Sequence, residues 1–439
     1  MSLLGGLLLG VITMSLTLHV PGAPGIGTPT RIGVFVGLAL ISCLIYATAA
    51  LWSLAPTDAP ARMAPLSASC LWPVLIFAVL FRIVLIPAPA FLSTDWFRYV
   101  WDGRVQLAGI NPYLYIPVAP ELAGLRDDII FPRINRLEYA PTIYPPIAQM
   151  VFYLVATVKQ SLPGIKTAMV LFDIITIFVL IRLLMLAGRP PVQVLLYAWH
   201  PLPIWEFAGN AHIDAAATCF VALALWAAAG KRSGVAALAL AAATLVKFLP
   251  VVLLPVIWRK WDWRVPLVFI AVIVAAYLCY IGAGWKVFGF LSGYAAEESG
   301  QGGSRLFWLG TLSRLVGPLP AWSGPVYLGL AAVILSGLGA KIAFLENKSV
   351  GAALLLSTSL MIVLTPHYPW YFAWLLVPCC LTPCLSVLYL SCAVFLIYSP
   401  TYDLNLVWSS LIYIPFCLLA LRDLRSHANQ SDPRSLQCP

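Results

Sequence analysis

Apolar runs of about 20 residues recur from one end of this chain to the other, and that repetition limits the possible fold more than any motif does. At 1.5 Å of rise per residue, such a run crosses the roughly 30 Å of hydrocarbon in a bilayer as a helix. Backbone amides in that layer find no water, so each crossing segment must satisfy its hydrogen bonds internally. Runs are read at 3–20, 33–54, 69–92, 143–158, 167–186, 192–207, 213–229, 235–258, 266–281, 326–343, 350–364, 381–398 and 404–421. The expectation is an all-α polytopic membrane protein, a single integral domain of 11 to 13 transmembrane helices. With 61% hydrophobic and only 10% charged residues, no large soluble domain fits between the runs. The first run has no basic leader and no small-residue cleavage site, and it reads as a retained span.

Charge supplies orientation. The 26 Lys and Arg outnumber the 17 Asp and Glu, and in a chain this apolar the excess marks cytoplasmic loops, not a nucleic-acid surface. The segment WRKWDWR at 258–264 is the strongest inward signal. Counting spans from it puts 284–305, with Glu297 and Glu298, on the outer side, together with 367–370, and returns the tail from 422 to the inside. Between 159 and 231 the orientation stays open, because Lys159, Lys166, Arg189, Lys231 and Arg232 compete for the inner face. Nearly all of the ten cysteines lie within apolar runs and form no matched CxxC pairs, so they read as small buried residues.

One segment breaks the apolar pattern. Residues 91–142 contain no spanning run and hold six of the 17 acids, namely Asp95, Asp102, Glu121, Asp127, Asp128 and Glu138, along with five arginines. Acids gathered this unevenly at a membrane surface point to a chemical site or a docking surface. Ser93 or Thr94 caps a helix over 95–108, Gly109 ends it in the left-handed conformation, and Pro112 prevents a restart. Asp95, Arg98, Asp102 and Gln106 then share one face, with Trp96, Val100 and Leu107 on another, as in an amphipathic helix lying on the membrane.

Asp95 follows a spanning run directly and is framed by aromatics. A half-desolvated carboxylate there suits a general base, since burial raises its pKa toward working pH. Asp102 lies roughly 10 Å further along the helix, too far to share an ion with Asp95. It takes either a direct catalytic part or an orienting one on Arg98 or Arg104, and i,i+4 spacing from Arg98 also fits a plain ion pair. The run 235–258 is broken by Pro250 and Pro255 and carries Lys247, an ammonium that needs an anionic partner in an apolar setting.

The string Asp95-Trp-Phe-Arg98-Tyr99-Val-Trp-Asp102-Gly103-Arg104, with Gly109-Ile-Asn111-Pro112-Tyr113 and Tyr144-Pro145-Pro146, resembles the polytopic C-type (GT-C) glycosyltransferases. Within that class it resembles the bacterial polyprenyl-phosphate-mannose-dependent mannosyltransferases. Further patches agree: Trp199-His200-Pro201-Leu202-Pro203 with Glu206, Gly209-Asn210-Ala211-His212-Ile213-Asp214, Lys247, and His367-Tyr368-Pro369-Trp370-Tyr371. His200 stands where such proteins often have Asn, and two extra N-terminal spans precede the first catalytic helix.

The resemblance implies a GT-C-like bundle with the catalytic acid in its first large extracytoplasmic loop, in a bacterial inner membrane. It divides the chain into two N-terminal spans (1–67), a catalytic module (68–260) containing the loop 91–142, and C-terminal spans (261–439). The implied reaction is inverting transfer of a sugar, mannose by this likeness, from a polyprenyl-phosphate donor to a hydroxyl of a glycan, lipid or protein acceptor among the membrane lipids.

Asp95 is then the base and Asp102 its companion. Arg98, Arg104 and Lys247 are the candidates for the donor phosphate, and Tyr99, Asn111, Tyr144, Glu206, His212, Asp214 and His367 those for substrate binding. The H-x-D pair His212 and Asp214 leaves a divalent metal open, and no organic cofactor is expected. The competing reading is a multispan transporter or flippase of a lipid-linked sugar, suggested by the proline-broken run and the buried lysine. Acids concentrated in one loop favour the enzyme.

Overall fold

The computed structural model describes residues 29–54, 71–345, 350–402 and 406–430. The apolar run at 3–20 and the links on either side of the second run therefore lie outside the described residues. Within them the chain forms helices and turns, with no strand. It is an all-α polytopic membrane protein. The main helices are α1 (Pro29–Ser53), α2 (Leu71–Leu85), α3 (Asp95–Leu107), α4 (Pro146–Val158), α5 (Leu162–Leu186), α6 (Asp214–Ala229) and α7 (Ser233–Val246). After these come α8 (Arg264–Leu278), α9 (Leu291–Ser299), α10 (Phe307–Val316), α11 (Ser323–Ala343), α12 (Val350–Leu364), α13 (Leu385–Ala393) and α14 (Val407–Gln430).

Four helices, α1, α5, α11 and α14, are long and apolar enough to cross a membrane alone, or five spans result if α8 and the segment bent 113° from it count as one. Shorter apolar helices such as α4, α6, α7 and α12 complete the bundle in which the sequence puts 11 to 13 spans. Leu171, Ile175 and Phe178 on α5 and Leu330, Val333 and Ile334 on α11 remain exposed, as side chains facing lipid do. Alanine makes the closest internal contact. Ala215, Ala216 and Ala222 on α6 and Ala236, Ala237 and Ala243 on α7 are all buried, and small side chains let two helix backbones approach.

Two sequence expectations change. The helix α3 begins and ends almost as expected, with Gly109 at φ 75° beyond its end, but it does not lie on the surface. Trp96 to Gly103 and Val105 are buried, and Gly103 lets α4 come so close that an added Cβ would stand 2.5 Å from the Phe152 carbonyl oxygen and 2.7 Å from Ala156 Cβ. The charged stripe of the helix is satisfied by protein groups instead of water. The run 192–207 is the second correction, because it is no continuous span. Pro190, Pro191, Pro201 and Pro203 remove amide donors and break it into short turns, ending in a π-helical turn at Ile204–Gly209. All of 192–217 is buried, which is the condition for unwound backbone at this depth.

Buried charges tie the bundle together. Arg82 Nε on α2 lies 2.6 Å from Asp173 Oδ2 on α5, with both side chains fully buried. Arg82 Nη1 also donates to the Ala198 carbonyl at 2.8 Å, and Tyr197 Oη donates to Asp173 Oδ1 at 2.7 Å. Lys166 Nζ donates to the carbonyls of Leu85 (2.8 Å) and Ala88 (2.5 Å), closing the end of α2 with a cation. Removing one member of a buried pair strands the other charge, at a cost of about 3–5 kcal/mol. Asp173→Leu is therefore expected to lower the thermal unfolding midpoint in detergent sharply, and Arg82→Met with Asp173→Leu to recover most of the loss. A wild-type midpoint for the single variant would contradict this account of the pair.

Candidate functional site

A cavity of about 760 Å³ opens where α3, the end of α7, α9 and the segment 364–371 converge. Asp95, at the first position of α3, stands in its wall with its side chain 21% exposed. Asn135 Nδ2 donates to Asp95 Oδ1 at 2.8 Å, and the Asp95 amide donates to Ser93 Oγ at 3.2 Å. Burial pushes the Asp95 carboxyl up to about 6; the charges of Lys247 and Arg136 oppose that rise, and Asp214 adds to it.

Lys247 sits where α7 stops, its backbone extended at φ −153°, ψ 130°. The following chain turns through Leu249–Leu253 with Pro250 inside it, so the break expected from the prolines is present and Lys247 marks it. Its Nζ lies 2.6 Å from Asp214 Oδ1, at the start of α6, and 3.4 Å from the centre of the Tyr371 ring. Tyr371 and Tyr294 join through their hydroxyls at 2.6 Å.

Behind Asp95 lie His212 and Glu206, both without exposure. His212 is stacked on Trp370, ring centres 3.7 Å apart and planes 17° from parallel. Its Nδ1 is 3.9 Å from Asp95 Oδ2 and its Nε2 is 3.4 Å from Glu206 Oε2. Ala211, just before it, takes φ 66°, a region that a residue with a Cβ rarely occupies. Glu206 accepts the Tyr398 hydroxyl at 2.9 and 3.0 Å and Asn210 Nδ2 at 3.3 Å.

Two outer loops roof the cavity. Arg136 pairs with Glu297 on α9 at 2.7 Å, Tyr139 Oη donates to Glu297 Oε1 at 3.1 Å, and the Phe290 amide donates to the Thr142 carbonyl at 3.1 Å. Gly289, at φ 54°, passes so close to that carbonyl that no side chain would fit.

Of the residues singled out in the sequence, Asp95, Tyr99, Tyr144, Lys247 and His367 line the cavity. His367 also bonds the Arg305 carbonyl through Nε2. Glu206, His212 and Asp214 lie behind its wall. Four others are engaged elsewhere. Arg98 is bound to Asp102 (2.8 Å) and the Ala140 carbonyl (3.2 Å), and Asp102 also accepts Gln149 Nε2 at 2.9 Å. Arg104 pairs with Asp127 at 2.7 Å, and Asn111 donates to the Tyr280 carbonyl at 2.9 Å. Asn135, Arg136, Tyr294, Glu298 and Tyr398 line the cavity without having been singled out as site residues. Asn135 and Arg136 lie in the loop after α3, Tyr294 and Glu298 on α9 and Tyr398 at the end of a helical turn, and none stood in a local pattern that marked it as a site residue. Among the described residues, no three His, Cys, Asp or Glu side chains gather as a metal site would need.

A family model described as alpha-(1->6)-mannopyranosyltransferase, N-terminal domain (MptA_B family), matches residues 1–262. That is more than half of the 439-residue chain. The chain belongs to this mannosyltransferase family. No curated protein and no solved structure matches it. Membership makes it a glycosyltransferase that moves mannose from a sugar donor to an acceptor. The matched part of this mannosyltransferase holds Asp95, Glu206, His212, Asp214 and Lys247, while Tyr294, Tyr371 and Tyr398 come from beyond it. Both halves of the chain build the cavity.

If the ties across the roof hold the loops closed, Arg136→Gln should speed amide hydrogen exchange over residues 289–303 at least several-fold while leaving α6 and α7 unchanged. Unaltered exchange in that segment would show that the ion pair holds nothing.

Proposed function

We propose that this cavity is where mannose passes from a polyprenyl-phosphate donor to an acceptor hydroxyl, with inversion and with Asp95 as general base. The observation that carries the reading is Asp95 itself: a carboxylate in the cavity wall, steadied by Asn135 and raised by burial to about 6. A base with that pKa is mostly ionised at pH 7 and still strong enough to take a proton in the transition state. Asp95 takes the proton of the acceptor hydroxyl as its oxygen bonds to the anomeric carbon, and the bond to the phosphate oxygen breaks with its electrons going to the lipid phosphate. An α-linked product, as in the family description, then requires a β-linked donor.

Lys247 is the best situated of the three candidate cations for the phosphate, because it lines the cavity, whereas Arg98 and Arg104 do not. Asp102 acts as an orienting residue through Arg98. Leu249, Leu291, Leu306 and Leu364 give one side of the cavity an apolar lining that suits an isoprenoid chain, and Tyr99, Tyr144 and His367 face the sugars. The positive-inside count favours an opening on the extracytoplasmic side, and the family resemblance a bacterial inner membrane, where the acceptor is a glycan, lipid or protein. The catalytic module runs over 68–260, and the spans after it complete the cavity.

With labelled mannosyl polyprenyl phosphate, Asp95→Asn is expected to cut transfer about 10²–10⁴-fold in a protein that still inserts and folds. Full activity in that variant would end the assignment. The working form of Asp95 is the ionised one, so kcat/KM should fall about tenfold per pH unit below about 6 and level off above it. A flat profile from pH 5 to 8 contradicts it. Lys247→Met should raise the donor KM at least tenfold, and an unchanged KM would remove Lys247 from phosphate binding.

A further inference from the structure

We propose that Glu206 and His212 form a buried pair that aims Asp95 and keeps its carboxylate charged, so that the base is a unit of three side chains. The inference rests on the reading of Asp95 as base. Both His212 and Glu206 have fully buried side chains, and neither lines the cavity, so neither reaches a substrate held there. They act through Asp95 and are positioning residues.

The imidazole is held with unusual firmness for a ring that makes no hydrogen bond. Trp370 covers one face, and the left-handed Ala211 fixes the approach of the backbone. Neither His212 nitrogen has a hydrogen-bond partner at normal length, although both are buried. Leaving two such groups unpaired is costly, and each points at a carboxylate: Nδ1 at Asp95 across 3.9 Å, Nε2 at Glu206 across 3.4 Å. A small tilt or a shift of α3 on substrate binding closes both gaps, as catalytic contacts commonly tighten in the loaded site. Glu206 cannot turn away, because Tyr398 and Asn210 hold its oxygens.

The unit requires one proton arrangement, because an ionised Glu206 beside a His212 protonated on Nε2 alone would turn a bare Nδ1 toward Asp95. A single proton is shared between Glu206 and His212 Nε2. Whether it rests on Glu206, which then donates to Nε2, or on Nε2, which then donates to the Glu206 carboxylate, His212 keeps its other proton on Nδ1. That Nδ1–H faces Asp95 Oδ2 and favours the carboxylate over the acid. During transfer Asp95 receives the acceptor's proton and releases it to water when product leaves, and no net proton crosses His212.

Other charges bear on the unit without replacing it. Lys247, Arg136 and Asp214 act on Asp95, and Lys247 acts on His212, but its Nζ is bonded to Asp214. Asp214 and the Tyr398 hydroxyl face Glu206. The phenols of Tyr99, Tyr144 and Tyr368 face Asp95 as neutral groups.

The test is the pH dependence of kcat, which reports the loaded site, with mannosyl polyprenyl phosphate as donor, on the full-length protein in detergent. His212→Phe retains the stack on Trp370 and removes both nitrogens. It should move the acid limb upward by about one unit, a loss of about fivefold at the wild-type midpoint that approaches tenfold below it and recovers at higher pH, with donor KM unchanged. Glu206→Gln still donates to Nε2 and should keep the wild-type limb, whereas Glu206→Leu should shift it as His212→Phe does. If His212→Phe fails to fold, the Glu206 pair of variants reads the same limb. A uniform loss at every pH, a change confined to KM, or an unmoved limb overturns the proposal. Asp95→Asn separates the two claims. Activity in Asp95→Asn defeats the base assignment itself, while an inactive Asp95→Asn beside an unmoved limb defeats only the pair.

Discussion

Unwound backbone inside a membrane has to be wrapped in protein, and the site of this mannosyltransferase is built around two such places. One is the proline-rich stretch before α6, the other the break after α7. Each frees amides and carbonyls that a lipid environment would leave unpaired. The alanine-rich contact between α6 and α7, with α2, α5 and the segment 369–381 around it, supplies the cover. Once covered, irregular backbone becomes useful. It turns Glu206, His212 and Asp214 inward from a few consecutive residues, and it brings Lys247 to the cavity wall at a point where a regular helix would have carried it past.

The same economy governs charge. The chain has few ionisable residues, and most of those inside the bundle meet a partner of opposite sign: Arg82 with Asp173, Arg98 with Asp102, Lys247 with Asp214. The first two pairs do not line the cavity: one fixes α2 against α5, and the other, through the Ala140 carbonyl and Gln149, fixes α3 against α4 and the loop before it. The third differs, because its cation also faces open space and an aromatic ring. Asp95 differs again, since it faces the cavity with an amide, and no cation, as its hydrogen-bond donor. What sets these two groups apart is the open space before them, whereas Lys166 and Glu206, also without an opposite charge at hydrogen-bond distance, are enclosed by the groups that bond them.

Much of this was legible in the sequence. Most apolar runs among the described residues fold as helices, with 192–207 the exception, and α12 occupies the very residues 350–364 of its run. The i,i+4 spacing foretold the Arg98–Asp102 pair, Gly109 ended α3, and the prolines near Lys247 marked a real break. What could not be read depended on contacts between distant segments. Periodicity showed that α3 was amphipathic but not that α4 would bury its polar face through Gly103 and Gln149. Nothing local in Asn135 announced its bond to Asp95 40 residues away, and nothing near Arg104 announced Asp127. Glu206 and His212 looked like substrate ligands because polar residues in apolar sequence invite that reading, whereas their burial turns them toward a neighbouring side chain.

The joined outer loops carry one more consequence. Arg136 with Glu297, Tyr139 with Glu297, and the Thr142 carbonyl against Gly289 and Phe290 fasten the loop after α3 to the one that contains α9 at several points. Ties in parallel share any load, so loosening one of them leaves the others to hold the two loops together. For an enzyme that must admit a donor and an acceptor and release its products, a covering tied at several points has to part as a unit before ligands exchange through it.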